Sequence, residues 1–309
     1  MRKKSVGIIL AVVGIAIGAF IGMSVFSSSF IRNETQTNPH PTRFLLENLT
    51  QSLGNYTGKI VMISVDIEGK PETLSLPTDA ALFKINYTTD SQGEVLNYDI
   101  NLKPELTDFY HQVGYFNRTS DAVVIYPIFT QAAYHKNGFY DYYDKTCDSR
   151  CLTTYISTSI HPRYQSSGSA LTVLFLLNYD IVTDIDVDRN PDILKKYNEV
   201  IVLHNEYVTQ KEFDAITSFP NVTYLYPNAL YAKITANYTS KTITLIRGHG
   251  YPDPSIGNGF DWKLDNSNYE YDLTCDNWQF YSVDNGKMLN CYPEYRLFFG
   301  KNLLKELAQ

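Results

Sequence analysis

Lysine and arginine are sparse and unclustered along most of this chain. The formal net charge is −7, and Arg2, Lys3, Lys4 and Arg32 are the only charges before Asn33. Removing those four positives leaves residues 33–309 at −11. Phosphate backbones are bound by clustered cations, so an acidic body of this kind excludes nucleic acid as a partner. Two catalytic signatures are missing as well. No G-x-S-x-G turn presents a serine, and no Walker-type glycine loop cradles a phosphate.

Charge is also absent from residues 5–26, SVGIILAVVGIAIGAFIGMSVF. As a helix this run spans roughly 33 Å, enough for a bilayer core. A cleavable signal peptide would carry a shorter apolar region ending in a small-residue cleavage site, so an uncleaved anchor fits better. Lys3 and Lys4 precede the run and none follows at once, which predicts residues 1–4 inside and everything beyond residue 27 outside. Gly7, Ala11, Gly14, Gly18 and Gly22 recur every three or four residues, a stripe that lets two helices approach closely and marks possible self-association.

Seven N-x-T sequons, at Asn33, Asn48, Asn55, Asn86, Asn117, Asn221 and Asn237, all lie on the outer side of this anchor. Four cysteines, at 147, 151, 275 and 291, suit two disulfides in an oxidising exterior. Of the three connectivities, Cys147–Cys151 with Cys275–Cys291 is the expected one. A zinc site is the rival, but a CxxxC remote from a widely spaced pair matches short-spaced zinc ligands poorly.

Residues 27–45 are polar and contain Pro39 and Pro41, which reads as a stalk. Residues 46–105 form a membrane-proximal β region. KIVMISVDI is one strand, and ALFKINYTT and EVLNYDINL make a hairpin across DSQG. The pattern then changes. DAVVIYPIF, YDIVTDIDV, EVIVLH and NVTYLY read as buried strands. Between them lie three helices: SALTVLFLLNY, PDILKKY with Asn190 as N-cap, and one opened by Thr209 and Glu212 as a capping box. KTITLIRG adds an edge strand. Residues 106–309 are therefore expected to form an α/β domain, an open, mostly parallel sheet with helices on both faces. Its carboxyl-end crevice holds the polar residues His204, Asn205 and Glu206. Residues 251–300, rich in aromatics, glycine and asparagine, are left as a disulfide-pinned extension.

The run YDIVTDIDV, EVIVLHNEYVTQKEFDAI and TYLYPNALYAKI resembles the catalytic domain of the N,N-dimethylformamidase large-subunit family, itself similar in fold to class I glutamine amidotransferases. The resemblance covers roughly residues 120–250. An amidotransferase needs a cysteine nucleophile on a tight strand-to-helix turn, and the corresponding turn, YPNALYA, has none. The formamidase-like family instead implies one iron held by two tyrosines and a carboxylate. Its tyrosines match Tyr207 and Tyr231, and Glu206, Glu270, Glu294 and Asp186 are candidates for the carboxylate. Hard anionic oxygens of this kind suit ferric iron.

Other groupings are weaker. Asp184, Asp186 and Asp188 alternate like the start of a calcium loop, but Arg189 and Lys195 stand where glycine and glutamate belong. Ser166, Ser167, Gly168 and Ser169 open a helix whose start is a possible anion site. His249 in RGHGYPD reads as part of a turn. The missing nucleophile and the unmatched third ligand favour a membrane-anchored glycoprotein that binds or scaffolds without catalysis; the alternative is an iron-dependent hydrolase of amide C–N bonds.

Overall fold

The structure, a computed structural model, describes residues 60–67, 70–77, 82–89, 91, 95–116, 122–157, 167–294 and 296–309. The anchor, the stalk and the sequons at Asn33, Asn48, Asn55 and Asn117 lie outside these residues. No helix among the described residues is long and apolar enough to cross a membrane.

Two antiparallel hairpins come first: β1 (Ile60–Ile67) with β2 (Lys70–Pro77), and β3 (Phe83–Thr89) with β4 (Val95–Leu102). Phe83 and Ile85 are buried while Lys84 and Asn86 are exposed, as period-2 alternation requires. Helix α1 (Thr107–Val113) follows and ties the second hairpin down. Its Tyr110 hydroxyl donates to the Leu82 carbonyl at 2.5 Å, and its ring stacks on Phe83 at 5.8 Å.

Strand β5 (Ala122–Tyr126) is buried at every residue, because its near-continuous apolar run faces a packed layer on each side. Pro127 ends it, and α2 (Ile128–Ala133) takes the residues expected to prolong the strand. After α3 (Phe139–Tyr143), the short β6 (Thr153–Tyr155) and α4 (Gly168–Leu176) comes β7 (Asp180–Thr183). The sequence reads YDIVTDIDV as one strand, but α5 (Asp184–Arg189) takes its second half. Thr183 and Asp186 form a reciprocal capping box, with Thr183 N–H donating to the Asp186 carboxylate at 2.9 Å. That local pairing outweighs the alternating pattern.

Next come β8 (Glu199–Val202), β9 (Tyr207–Val208), α6 (Gln210–Thr217) and β10 (Val222–Tyr224). The chain closes with β11 (Ala232–Asn237), β12 (Thr242–Arg247), β13 (Phe280–Val283), β14 (Gly286–Leu289) and α7 (Lys301–Leu307). Residues Pro191–Lys196 form a 3-10 turn without a side-chain cap from Asn190.

The main sheet has the order β13-β14-β10-β8-β5-β7, parallel throughout except for β13. Alternate side chains feed two cores. Val124, Tyr126, Ile201 and Leu225 pack with α1, α4 and α7, while Val123, Ile125, Val200 and Val222 pack with α5 and α6. The chain is thus an α/β protein with helices on both faces. Strand β12 is not an edge of this sheet. It belongs to a second sheet, β6-β12-β11-β9, because it pairs with β11 and β6. The C-terminal extension also contributes structure: β14 pairs with β10, and the β13–β14 hairpin is bracketed by the Cys275–Cys291 disulfide. Cys147 pairs with Cys151, so both expected disulfides form and no cysteine is free.

Candidate functional site

The stretch His204 to Tyr207 carries the chain from one sheet to the other. Behind it β8 ends in the main sheet, and ahead β9 pairs in parallel with β11, Tyr207 opposite Ala232. That register sets Tyr231 beside Glu206, whose carbonyl accepts the Tyr231 and Ala232 N–H groups at 3.0 and 2.8 Å. The preceding turn is tight, with Asn228 and Leu230 at φ 60° and 57°. Tyr207 thus lies opposite Ala232, and Tyr231, matched in sequence on a separate motif, comes one residue before that partner.

Glu206 is the centre of the arrangement and is wholly buried. Tyr134 donates to its Oε2 at 2.9 Å, and Tyr140 reaches Oε1 and Oε2 at 3.2 and 3.3 Å. The Tyr134 and Tyr140 hydroxyls are 2.7 Å apart. On the other side His249 Nε2 stands 3.7 Å from Glu206 Oε1 and 3.4 Å from the Tyr140 hydroxyl. The His249 ring stacks on Tyr143 at 4.3 Å, and the Tyr143 hydroxyl is 3.5 Å from that of Tyr207. Tyr231 presents its ring to the same imidazole at 5.9 Å.

Burial governs the electrostatics. It lifts the Glu206 carboxyl from 4.5 to about 8, with the nearby Glu270 charge adding to the rise and the tyrosine hydroxyls opposing it. Glu270 is itself raised by burial, against the lowering influence of Asn228 and Tyr271. Burial pushes His204 down to about 3 and lowers His249, so both imidazoles are neutral near pH 7. Tyr207 is raised well above 10 by burial and then by Glu206, and Tyr231 is raised by burial, then by acids including Glu206 and Glu270.

Of the four carboxylates named from sequence, two lie elsewhere. Asp186 is spent in the α5 capping box. Glu294 accepts Ser169 N–H at 3.0 Å and the Tyr226 hydroxyl at 2.7 Å. It supplies the acceptor at the start of α4, so the serine-rich opening there is already capped from within. Ser167 Oγ instead accepts His204 N–H at 3.1 Å. Asp184 and Asp188 sit on α5, a helix rather than a calcium loop. Asn205 points its amide at Glu212 instead, 3.3 Å away, so the α6 capping box is only half formed: Thr209 accepts Glu212 N–H at 3.2 Å, but the glutamate does not reach back.

Sequence reasoning missed Tyr134, at the end of α2, and Tyr140 and Tyr143, on α3, and gave His249 only a turn. The tyrosine-dense run YHKNGFYDYYDK was the available signal. Gly248, His249 and Gly250 all have positive φ, at 115°, 54° and 77°, which turns the imidazole back over Tyr143. Above this pair opens a cleft of roughly 720 Å³. Tyr142, Tyr143, His249 and Pro254 line its wall, and Lys145 and Arg150 stand at its rim.

The donor set can be tested against iron. Among the described residues no three or more His, Cys, Asp and Glu converge on a metal position, so a cation here would need phenol oxygens beside carboxylates. Glu206, Glu270, Tyr207 and Tyr231 supply that combination. Two carboxyls in mutual electrostatic reach, both raised by burial, are the environment that a hard cation relieves. The residues fit. Comparison of the chain with family models and with curated proteins finds no match.

Proposed function

We propose that this chain is a membrane-anchored, extracytoplasmic glycoprotein whose α/β domain resembles the N,N-dimethylformamidase large subunit and hydrolyses amide C–N bonds with iron. One observation carries the reading: the matched Tyr231 donates its N–H to the carbonyl of Glu206, the residue before the matched Tyr207, and the Glu206 carboxyl feels the charge of Glu270. Glu206, Glu270, Tyr207 and Tyr231 would hold the iron, which when bound supplies Lewis acidity toward a carbonyl oxygen and a water. Tyr134 and Tyr140 orient the Glu206 carboxylate. His249, neutral and at the cleft wall, offers Nε2 as a proton acceptor. Cysteine glutaminase chemistry has no support, since all four cysteines are paired and Asn228 occupies the turn.

A non-catalytic binding protein is the second reading. Both Glu206 oxygens already accept tyrosine hydroxyls and Tyr207 is wholly buried, a network that can stand without a metal. Metal analysis and visible absorption of the full-length protein separate the two. Bound iron with a ferric-phenolate colour is expected, and Tyr207→Phe and Tyr231→Phe should each strip it while the fold persists. A colourless protein after iron reconstitution sinks the hydrolase reading and leaves the binding one.

A further inference from the structure

A second group of acids, unused by the reading above, lies between α5 and α6. Asp184 and Glu212 are wholly buried and Asp188 nearly so. Most of their oxygens are spoken for. Asp184 Oδ2 accepts Phe129 N–H at 2.7 Å. Asp188 accepts the Thr209 hydroxyl on Oδ1 and the Tyr238 hydroxyl on Oδ2, each at 2.5 Å. Glu212 Oε1 receives the Asn205 side-chain N–H at 3.3 Å.

Three oxygens are left over. Asp184 Oδ1, Glu212 Oε2 and Asn205 Oδ1 are each buried without a hydrogen-bond partner. Buried polar atoms in native proteins are almost always satisfied, so three orphans in one neighbourhood call for an occupant. The Asn205–Glu212 hydrogen bond joins two of the three, and Asp184 is the charge acting most strongly on Glu212. All three atoms are acceptors. One proton shared between the carboxyls would pair two of them and leave the Asn205 oxygen bare, and satisfying all three with protons needs both acids neutral, whereas one cation ligates all three.

We propose that Asp184, Asn205 and Glu212 form a buried site for a hard divalent cation of the calcium type, which ties α5 to α6. Carboxylate and amide oxygens in irregular geometry suit calcium, while magnesium demands a near-ideal octahedron. Two carboxylates and one amide make a lightly charged site, which sets the affinity near the weak, about 10⁻⁴–10⁻³ M, range of extracellular calcium modules.

The test is thermal unfolding of the full-length protein, stripped with chelator and titrated with calcium to about 10 mM, some tenfold above that range. The wild type should unfold at a temperature that rises with calcium and saturates. Glu212→Gln and Asp184→Asn keep the side-chain shape and remove one anionic ligand, so the calcium midpoint should weaken by about tenfold or more. Asn205→Asp adds a carboxylate and should tighten it, which keeps the proposal testable should the other two variants fail to fold. Tyr207→Phe should leave the calcium response unchanged, separating this site from the iron locus. A wild type indifferent to calcium overturns the proposal, as does a response shared equally by all the variants. So does a Glu212→Gln protein that is more stable than wild type without calcium and gains nothing from it, the signature of a shared proton.

Discussion

Glu294 makes stability depend on pH in a direction opposite to that of an ordinary salt-bridged acid. It is 4% exposed, and burial raises its carboxyl from 4.5 to about 7 although Tyr226 and Ser169 both donate to it. Between those two values the folded chain holds a proton that the unfolded chain has released. Stability from this group is therefore greatest below pH 4.5 and is lost as pH rises through 7. At about 1.4 kcal/mol per pH unit, the loss is about 3 kcal/mol. Glu294→Gln is isosteric, keeps an acceptor for Ser169 N–H and cannot ionise. Urea unfolding of both proteins from pH 5 to pH 8 should give similar stabilities at the acid end. At the alkaline end the variant should be more stable by about 3 kcal/mol. Other groups, Glu206 among them, contribute equally to both curves and cancel in the difference. Parallel curves would refute the reasoning, since they would mean that the carboxylate is solvated or stabilised as an anion where it sits.

Further outcomes follow from the packing and the sequence. Phe83→Ala, removing a wholly buried ring packed on Tyr110 and Phe298, should cost about 3–5 kcal/mol in urea unfolding, and a cost near zero would detach the hairpin from the core. Thr209→Ala loses both the α6 cap and a hydrogen bond to Asp188, so about 1–2 kcal/mol should disappear, and an unchanged midpoint would mean that neither bond matters. Non-reducing peptide mapping should recover Cys147 joined to Cys151 and Cys275 to Cys291; four alkylated thiols would contradict that pairing. External protease on intact cells should leave a short membrane-held stub, given the charge bias around residues 5–26, and a protected body would reverse the orientation.

The exposed Asn86, Asn221 and Asn237 illustrate what local sequence handles well. Each sits where strand alternation or a strand boundary places it, and neither depends on distant residues. The misreadings share a cause. YDIVTDIDV and DAVVIYPIF both run a strand into a helix, because the apolar pattern continues past the residue where a cap or a proline ends the ladder. KTITLIRG was given the wrong sheet because an edge strand is equally satisfied by any partner with free backbone groups.

The sequence by itself determined the apolar run, the sequons and the alternation of strands and helices, and it favoured the cysteine pairing that the structure shows. These rest on periodicity and on residues close in the chain, where few alternatives compete. It also brought forward Tyr207 and Tyr231, through the resemblance. Only the tertiary structure decided which of the four candidate carboxylates are engaged elsewhere. Asp186 and Glu294 were chemically as eligible as Glu206 and Glu270, but caps on α5 and α4 consume the first pair. The β8-to-β9 crossing between sheets leaves Glu206 among Tyr134, Tyr140 and His249, residues 72, 66 and 43 positions away along the chain. Convergence of that kind is set by strand order and helix packing, and no local pattern encodes it.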